Sequence, residues 1–149
     1  MKLTAVGPDG AREVSTDEVF NAKRVVLFGV PGAFTPTCSN KHLPGFLEQA
    51  DALRARGVDQ VACVAVNDQF VMAAWARHEG VGDGILMLAD GSGAFTKALG
   101  LELDLTARGM GVRSQRFALV AKDGVVERVA VEKPGEFDVS RAESVLAAL

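Results

Sequence analysis

Val25-Val26-Leu27-Phe28-Gly29-Val30 runs directly into Pro31-Gly32-Ala33-Phe34-Thr35-Pro36-Thr37-Cys38-Ser39. The first half is continuously apolar and rich in β-branched residues, the pattern of a strand covered on both faces. The second half is a turn, with Gly, two prolines and hydroxyl residues around one Cys. From Ser39 to Arg56 the period changes. Leu43, Phe46, Leu47, Ala50 and Leu53 recur at the three- and four-residue spacing of one helix face, and Gly57 can terminate it. Pro44 predicts a kink or an irregular start. Val61 to Val66 is a second apolar strand. Strand, helix and strand in this order make a βαβ unit with parallel strands and a right-handed crossover.

The flanks extend that unit. Gly7-Pro8-Asp9-Gly10 reads as a turn and Ala11 to Val14 as a short edge strand. Ser15-Thr16-Asp17-Glu18 starts a brief helix ending near Ala22. Asn67-Asp68 caps another helix, with Phe70, Val71, Ala74 and Trp75 on its buried face and an end near Gly80. Ile85 to Ala89 is a third strand, and Ala94 to Leu99 a short helix stopped by Gly100. Leu101 to Met110 alternates like a strand but carries acidic residues, and stays open. Lys122-Asp123-Gly124 between Arg116–Ala121 and Val125–Val131 is the strongest hairpin signal. Ser140 with Glu143 predicts a capping box for a last helix through Leu149. Parallel strands first and an antiparallel hairpin late imply an α/β fold. A thioredoxin-like mixed sheet sandwiched between helices fits that order, as a single domain over residues 1–149; periodicity alone also allows a flavodoxin-like sheet.

Composition narrows the function. Of 149 residues, 48% are apolar and 23% charged, the balance of a globular domain. The net charge of −3 provides no footprint for nucleic acid. No apolar stretch reaches the ~18–20 residues of a membrane span. Met1 to Ala5 has no long apolar core, so no signal peptide is expected and a cytoplasmic location is. The only cysteines are Cys38 and Cys63, with no Cys-x-x-Cys, and the only histidines are His42 and His78. Neither a disulfide framework nor a zinc site fits that set.

The chemistry therefore falls on Cys38. A thiol placed where a strand hands over to a helix lies beside unpaired backbone N–H groups and the positive end of the helix dipole, which favours the nucleophilic thiolate. A small buried residue is the competing reading. Thr35 is placed to reach the sulfur or a substrate oxygen, or to act as a cap. Arg116, at the entrance of a strand, is either solvated or aimed at the sulfur, with Arg113 as its rival. His42, one helical turn after Cys38, either pairs with it for acyl transfer or simply forms hydrogen bonds. Cys63 is mid-strand and reads as core, with a resolving thiol as the alternative.

Pro31-x-x-x-Thr35-x-x-Cys38 matches the peroxiredoxin signature. The surrounding Val30–Ser39 string, Lys41-His42-Leu43-Pro44-Gly45-Phe46, Val66-Asn67-Asp68-x-Phe70-Val71-Met72 and Gly111-Val112-Arg113-Ser114-Gln115-Arg116-Phe117 resemble the type II, peroxiredoxin-five-like subgroup. The resemblance implies a thioredoxin-like fold and a thiol peroxidase for hydrogen peroxide and organic hydroperoxides, without metal or flavin. It implies that Cys38 is peroxidatic, that Thr35 and Arg116 orient sulfur and peroxide, and that Pro31 packs over the site. It also implies a homodimer. Glu132 to Leu149 lacks the C-terminal resolving Cys of animal members, which favours recycling by glutathione with glutaredoxin or by thioredoxin. The chain begins late relative to the family, implying a shortened first hairpin. A non-enzymatic redox sensor and a thioredoxin-like disulfide reductase are the alternatives; the missing Cys-x-x-Cys disfavours the reductase.

Overall fold

The computed structural model describes residues 1–149. Nine strands form it: β1 (Lys2–Gly7), β2 (Gly10–Ser15), β3 (Arg24–Val30), β4 (Gln60–Ala65), β5 (Leu86–Ala89), β6 (Glu102–Leu105), β7 (Gly111–Ser114), β8 (Phe117–Lys122) and β9 (Val125–Val131). The helices are α1 (Thr16–Phe20), α2 (Leu43–Ala55), α3 (Gln69–Glu79), α4 (Ala94–Leu99) and α5 (Ala142–Ala148). Seven strands make one sheet in the order β2-β1-β5-β4-β3-β8-β9. β3, β4 and β5 are parallel, and β8 runs antiparallel against β3. The parallel run contains the sequence's βαβ unit, and the mixed sheet between helices is the expected fold. The first hairpin is intact, paired from Lys2↔Ser15 to Gly7↔Gly10.

Strand alternation divides the core between two faces. Val26, Phe28, Val30 and Cys63 project to the side covered by Phe46 and Leu53 of α2, Met72 and Trp75 of α3, and Val145 of α5. Val25, Leu27, Val64 and Phe117 project to the other, beneath Val19 of α1 and Phe95 of α4. Ser15 and Glu18 close a capping box on α1, and Asp68 caps α3 through the Val71 N–H. Asp123 and Gly124 both take positive φ (49° and 78°), which produces the hairpin between β8 and β9.

Several expectations change. Helical backbone begins at Pro36, and Cys38–His42 is a π-helical turn rather than regular α-helix. Pro44 follows directly at the start of α2, but helical backbone already runs into it from Pro36, so its missing N–H leaves the preceding turn one bond short, next to the π-helical turn. Phe70 is 75% exposed, and Met72 takes its expected place in the core beside Trp75. The open segment after Leu101 contains β6, which pairs with β7 in a separate two-stranded ribbon. Ser140 caps nothing: Arg141 is the N-cap of α5 without a side-chain bond, and the Ser140 hydroxyl goes instead to Glu132.

Candidate active site

The loop after β3 is pinned from three directions. Gly29 lies under the Phe117 ring, and a Cβ there would come 2.0 Å from a ring carbon. The Ala33 N–H donates to Asn67 Oδ1 at 2.9 Å. Arg113 spans the gap to the β6–β7 ribbon, donating from Nε to the Met110 carbonyl (2.8 Å) and from Nη1 to the Pro31 carbonyl (3.4 Å). A Cβ at Gly32 would sit 2.8 Å from Arg113 Nη1, so a side chain there would displace the guanidinium end from the loop. Phe34 takes φ +64°, a conformation uncommon for an aromatic residue, and stays half exposed beside His78. The Thr35 carbonyl accepts from the Ser39 N–H as helical backbone begins.

Cys38 is fully buried, in the first turn of that helix. Arg116, the residue before β8, donates from Nη2 to Cys38 Sγ at 3.1 Å and from Nη1 to His42 Nδ1 at 3.0 Å. The His42 Nε2–H donates to the Ser140 carbonyl at 2.9 Å. A guanidinium only donates and a carbonyl only accepts, so these two bonds fix His42 as the neutral Nε2–H tautomer. Burial lowers the His42 pKa to about 3; the Ser140 carbonyl and Glu132 oppose the shift and Arg116 reinforces it. His42 is therefore no proton carrier at neutral pH. The Phe28 and Phe46 rings pack against it, with Phe137 edge-on at 5.2 Å.

A cavity of about 680 Å³ opens beside the pair, lined by Pro31, Thr35, Thr37 and Arg116 on one wall and Leu103, Leu105 and Met110 on another. All four sequence-selected residues thus meet: Pro31, Thr35 and Arg116 on the cavity and Cys38 bonded to Arg116. Thr35 differs in its partner, since its hydroxyl donates to the Gly32 carbonyl at 2.7 Å rather than to sulfur. With its proton given to that carbonyl, the hydroxyl oxygen of this cavity-lining residue can act only as an acceptor toward a ligand. Arg116 takes the place beside sulfur, and Arg113 holds the loop. Cys63 is fully buried in β4, and burial raises its thiol pKa well above the ordinary value; the Cys38 sulfur adds to the shift and Arg116 opposes it. No group of three His, Cys, Asp or Glu side chains is placed to hold a metal ion.

Three participants were missed. Glu132 follows β9 and points inward, and its Oε2 accepts from Asp138 N–H (2.7 Å), Ser140 N–H (2.9 Å) and Ser140 Oγ (2.7 Å). Ser140 supplies the carbonyl for His42, and Phe137 covers it. An acidic residue after an apolar strand carries no sequence sign that its side chain turns inward.

The Redoxin family model matches residues 2–146. Peroxiredoxin-2C of Oryza sativa subsp. japonica is 53% identical over 143 residues, covering 96% of this chain and 88% of that protein. Peroxiredoxin-2B of Arabidopsis thaliana is 51% identical over 141 residues, covering 95% and 87%. The crystal structure of reduced Prx3 from Vibrio vulnificus in complex with hydrogen peroxide superposes with a TM-score of 0.93 at 52% identity, covering 99% of this chain and 92% of that one. With this family match and these relatives, the chain belongs to the Redoxin family and is a type II peroxiredoxin of the thioredoxin-like superfamily, a thiol peroxidase.

Proposed function

We propose that Cys38 is the peroxidatic residue and that Arg116, Thr35 and Pro31 form its peroxide site. The observation that carries this is the Arg116 Nη2 hydrogen bond to Cys38 Sγ at 3.1 Å beside the cavity. The thiolate attacks one peroxide oxygen; the S–O bond forms as the O–O bond breaks, and alkoxide or hydroxide leaves and takes a proton from solvent. Arg116 and the first-turn N–H groups stabilise the negative charge as it moves from sulfur to the leaving oxygen. The Thr35 oxygen accepts a hydrogen bond from the peroxide O–H, and Pro31 keeps water from the sulfur. The product is a Cys38 sulfenic acid. Stopped-flow oxidation by hydrogen peroxide should be fast in the wild type and lost in Cys38→Ser; equal rates in the two proteins refute the assignment.

The reductant we infer is a thiol from outside the chain, glutathione with glutaredoxin or thioredoxin. It attacks the sulfenic sulfur with loss of water, and a second thiol releases Cys38 from the mixed disulfide. The mid-strand burial of Cys63 supports an external thiol, because strand β4 would have to open before Cys63 could reach Cys38. Steady-state turnover with each reductant in turn identifies it. Exposed Phe34 and Phe70 support a homodimer that packs near the active-site loop, read by analytical ultracentrifugation. A cytoplasmic location is tested by cell fractionation.

A further inference from the structure

Arg116 lies on a closed ring of hydrogen bonds that begins and ends on itself. Its backbone carbonyl accepts from the Glu132 N–H at 2.9 Å. The Glu132 carboxylate accepts from the Ser140 N–H and hydroxyl. The Ser140 carbonyl accepts from His42 Nε2–H, and His42 Nδ1 accepts from Arg116 Nη1. The guanidinium's remaining bond is to Cys38 Sγ. We propose that Glu132 is a positioning residue for the peroxidase reaction: by stapling the 138–140 segment it holds the Ser140 carbonyl, through it His42, and through His42 the plane of the Arg116 guanidinium.

Three observations carry the assignment. Glu132 is only 6% exposed, and its Oε1 is buried with no hydrogen-bond partner, a costly arrangement that apolar packing would not require. Its Oε2 gathers donors from one short segment, the same one that seats Phe137 against His42 and within 6.0 Å of Arg116. His42, neutral and wedged between aromatic rings, can transmit that placement only by geometry. Without the staple the Ser140 carbonyl is free to shift, His42 can turn, and Nη1 loses its acceptor. The guanidinium then retains its charge near sulfur but loses the orientation that matches a peroxide oxygen. Peroxide attack should suffer more than reactions that need only the thiolate.

The proposal rests on the roles given above to Cys38 and Arg116, and its test separates the two. Second-order rates of reaction with hydrogen peroxide and with iodoacetamide are measured for wild type, Cys38→Ser, Arg116→Lys and Glu132→Ala. Glu132→Ala, which removes the acceptor of all three bonds, is expected to slow peroxide oxidation by roughly tenfold to a hundredfold while alkylation stays near wild type. An unchanged peroxide rate, or equal losses in both reactions, overturns the positioning role. The underlying reading fails separately, if Cys38→Ser still consumes peroxide or Arg116→Lys reacts like wild type. If Glu132→Ala does not fold, the same two rates are read on Ser140→Ala, which removes one of the donors. A selective several-fold loss there supports the relay, and unchanged rates overturn it.

Discussion

Arg116 does two jobs that a lysine cannot combine, since its fork reaches Cys38 Sγ and His42 Nδ1 at once. Arg116→Lys preserves the charge and loses one of those bonds. A hydrogen bond to a charged group contributes about 1.5–3 kcal/mol, so the single-turnover rate should fall roughly tenfold to a hundredfold in stopped flow. Cys63 contrasts with Cys38 within the same core. Its thiol is raised by burial and it faces no donor. Cys63→Ser should cost about 1–2 kcal/mol in urea denaturation, because it buries a hydroxyl, and should leave single-turnover peroxide oxidation unchanged. The choice between Cys38 and Cys63 was readable from their neighbours, a polar turn against an apolar run. The choice between Arg116 and Arg113 was not: three residues apart, both enter the site region, and only the path of β7 into β8 points one at sulfur and the other at the Pro31 carbonyl.

The elements that carry the site depend on close contacts between strands. Gly29 and Phe117 are partners across β3 and β8, and the ring fills the space where a Gly29 side chain would be. Gly29→Ala should destabilise the protein by about 1–3 kcal/mol, read as a lower urea midpoint. It should also slow peroxide oxidation, because Phe117 follows Arg116 directly. At the other end of β3 the effects are local: Ser15→Ala removes the α1 cap and should cost about 1 kcal/mol without changing the peroxide rate. The βαβ unit, the late hairpin and these caps were legible because period, turn chemistry and capping are local signals. The π-helical turn was signalled only by Pro44. The pairing of β6 with β7 was hidden because its two half-buried strands hold few apolar residues.

For the whole molecule, buried charge states set the response to acid. His42 is neutral in the fold with a pKa of about 3, whereas in the unfolded chain it titrates near its ordinary value of 6.5. The unfolded state therefore binds an extra proton between those values, and stability falls as pH drops below about 6.5, by up to about 1.4 kcal/mol per pH unit. Glu132 acts in the same direction at lower pH. Burial raises its carboxyl pKa, but the Ser140, Asp138 and Val139 donors more than offset this and leave it below the ordinary 4.5. Its contribution is complete above that value and disappears as pH falls through the lower, folded one. Urea midpoints should decline from pH 6.5 downward in the wild type, and His42→Gln should flatten the slope between pH 6.5 and 4.5. An equal slope in both proteins removes His42 as its source.

Local pattern carried the α/β class and the strand-to-helix placement of Cys38, and a motif of fixed spacing grouped Pro31 and Thr35 with it, because each depends on residues within a few positions; Arg116 was named as the sulfur's partner only by the family resemblance, and the fold brings it to the sulfur. The fold alone brought Glu132, Phe137 and Ser140 against His42, and His42 against Arg116. Those contacts join residues separated by 74 and 98 positions in the chain. No periodicity encodes such a separation. It is set by which strands lie side by side in the sheet, and by the burial that makes each inward polar group find a partner.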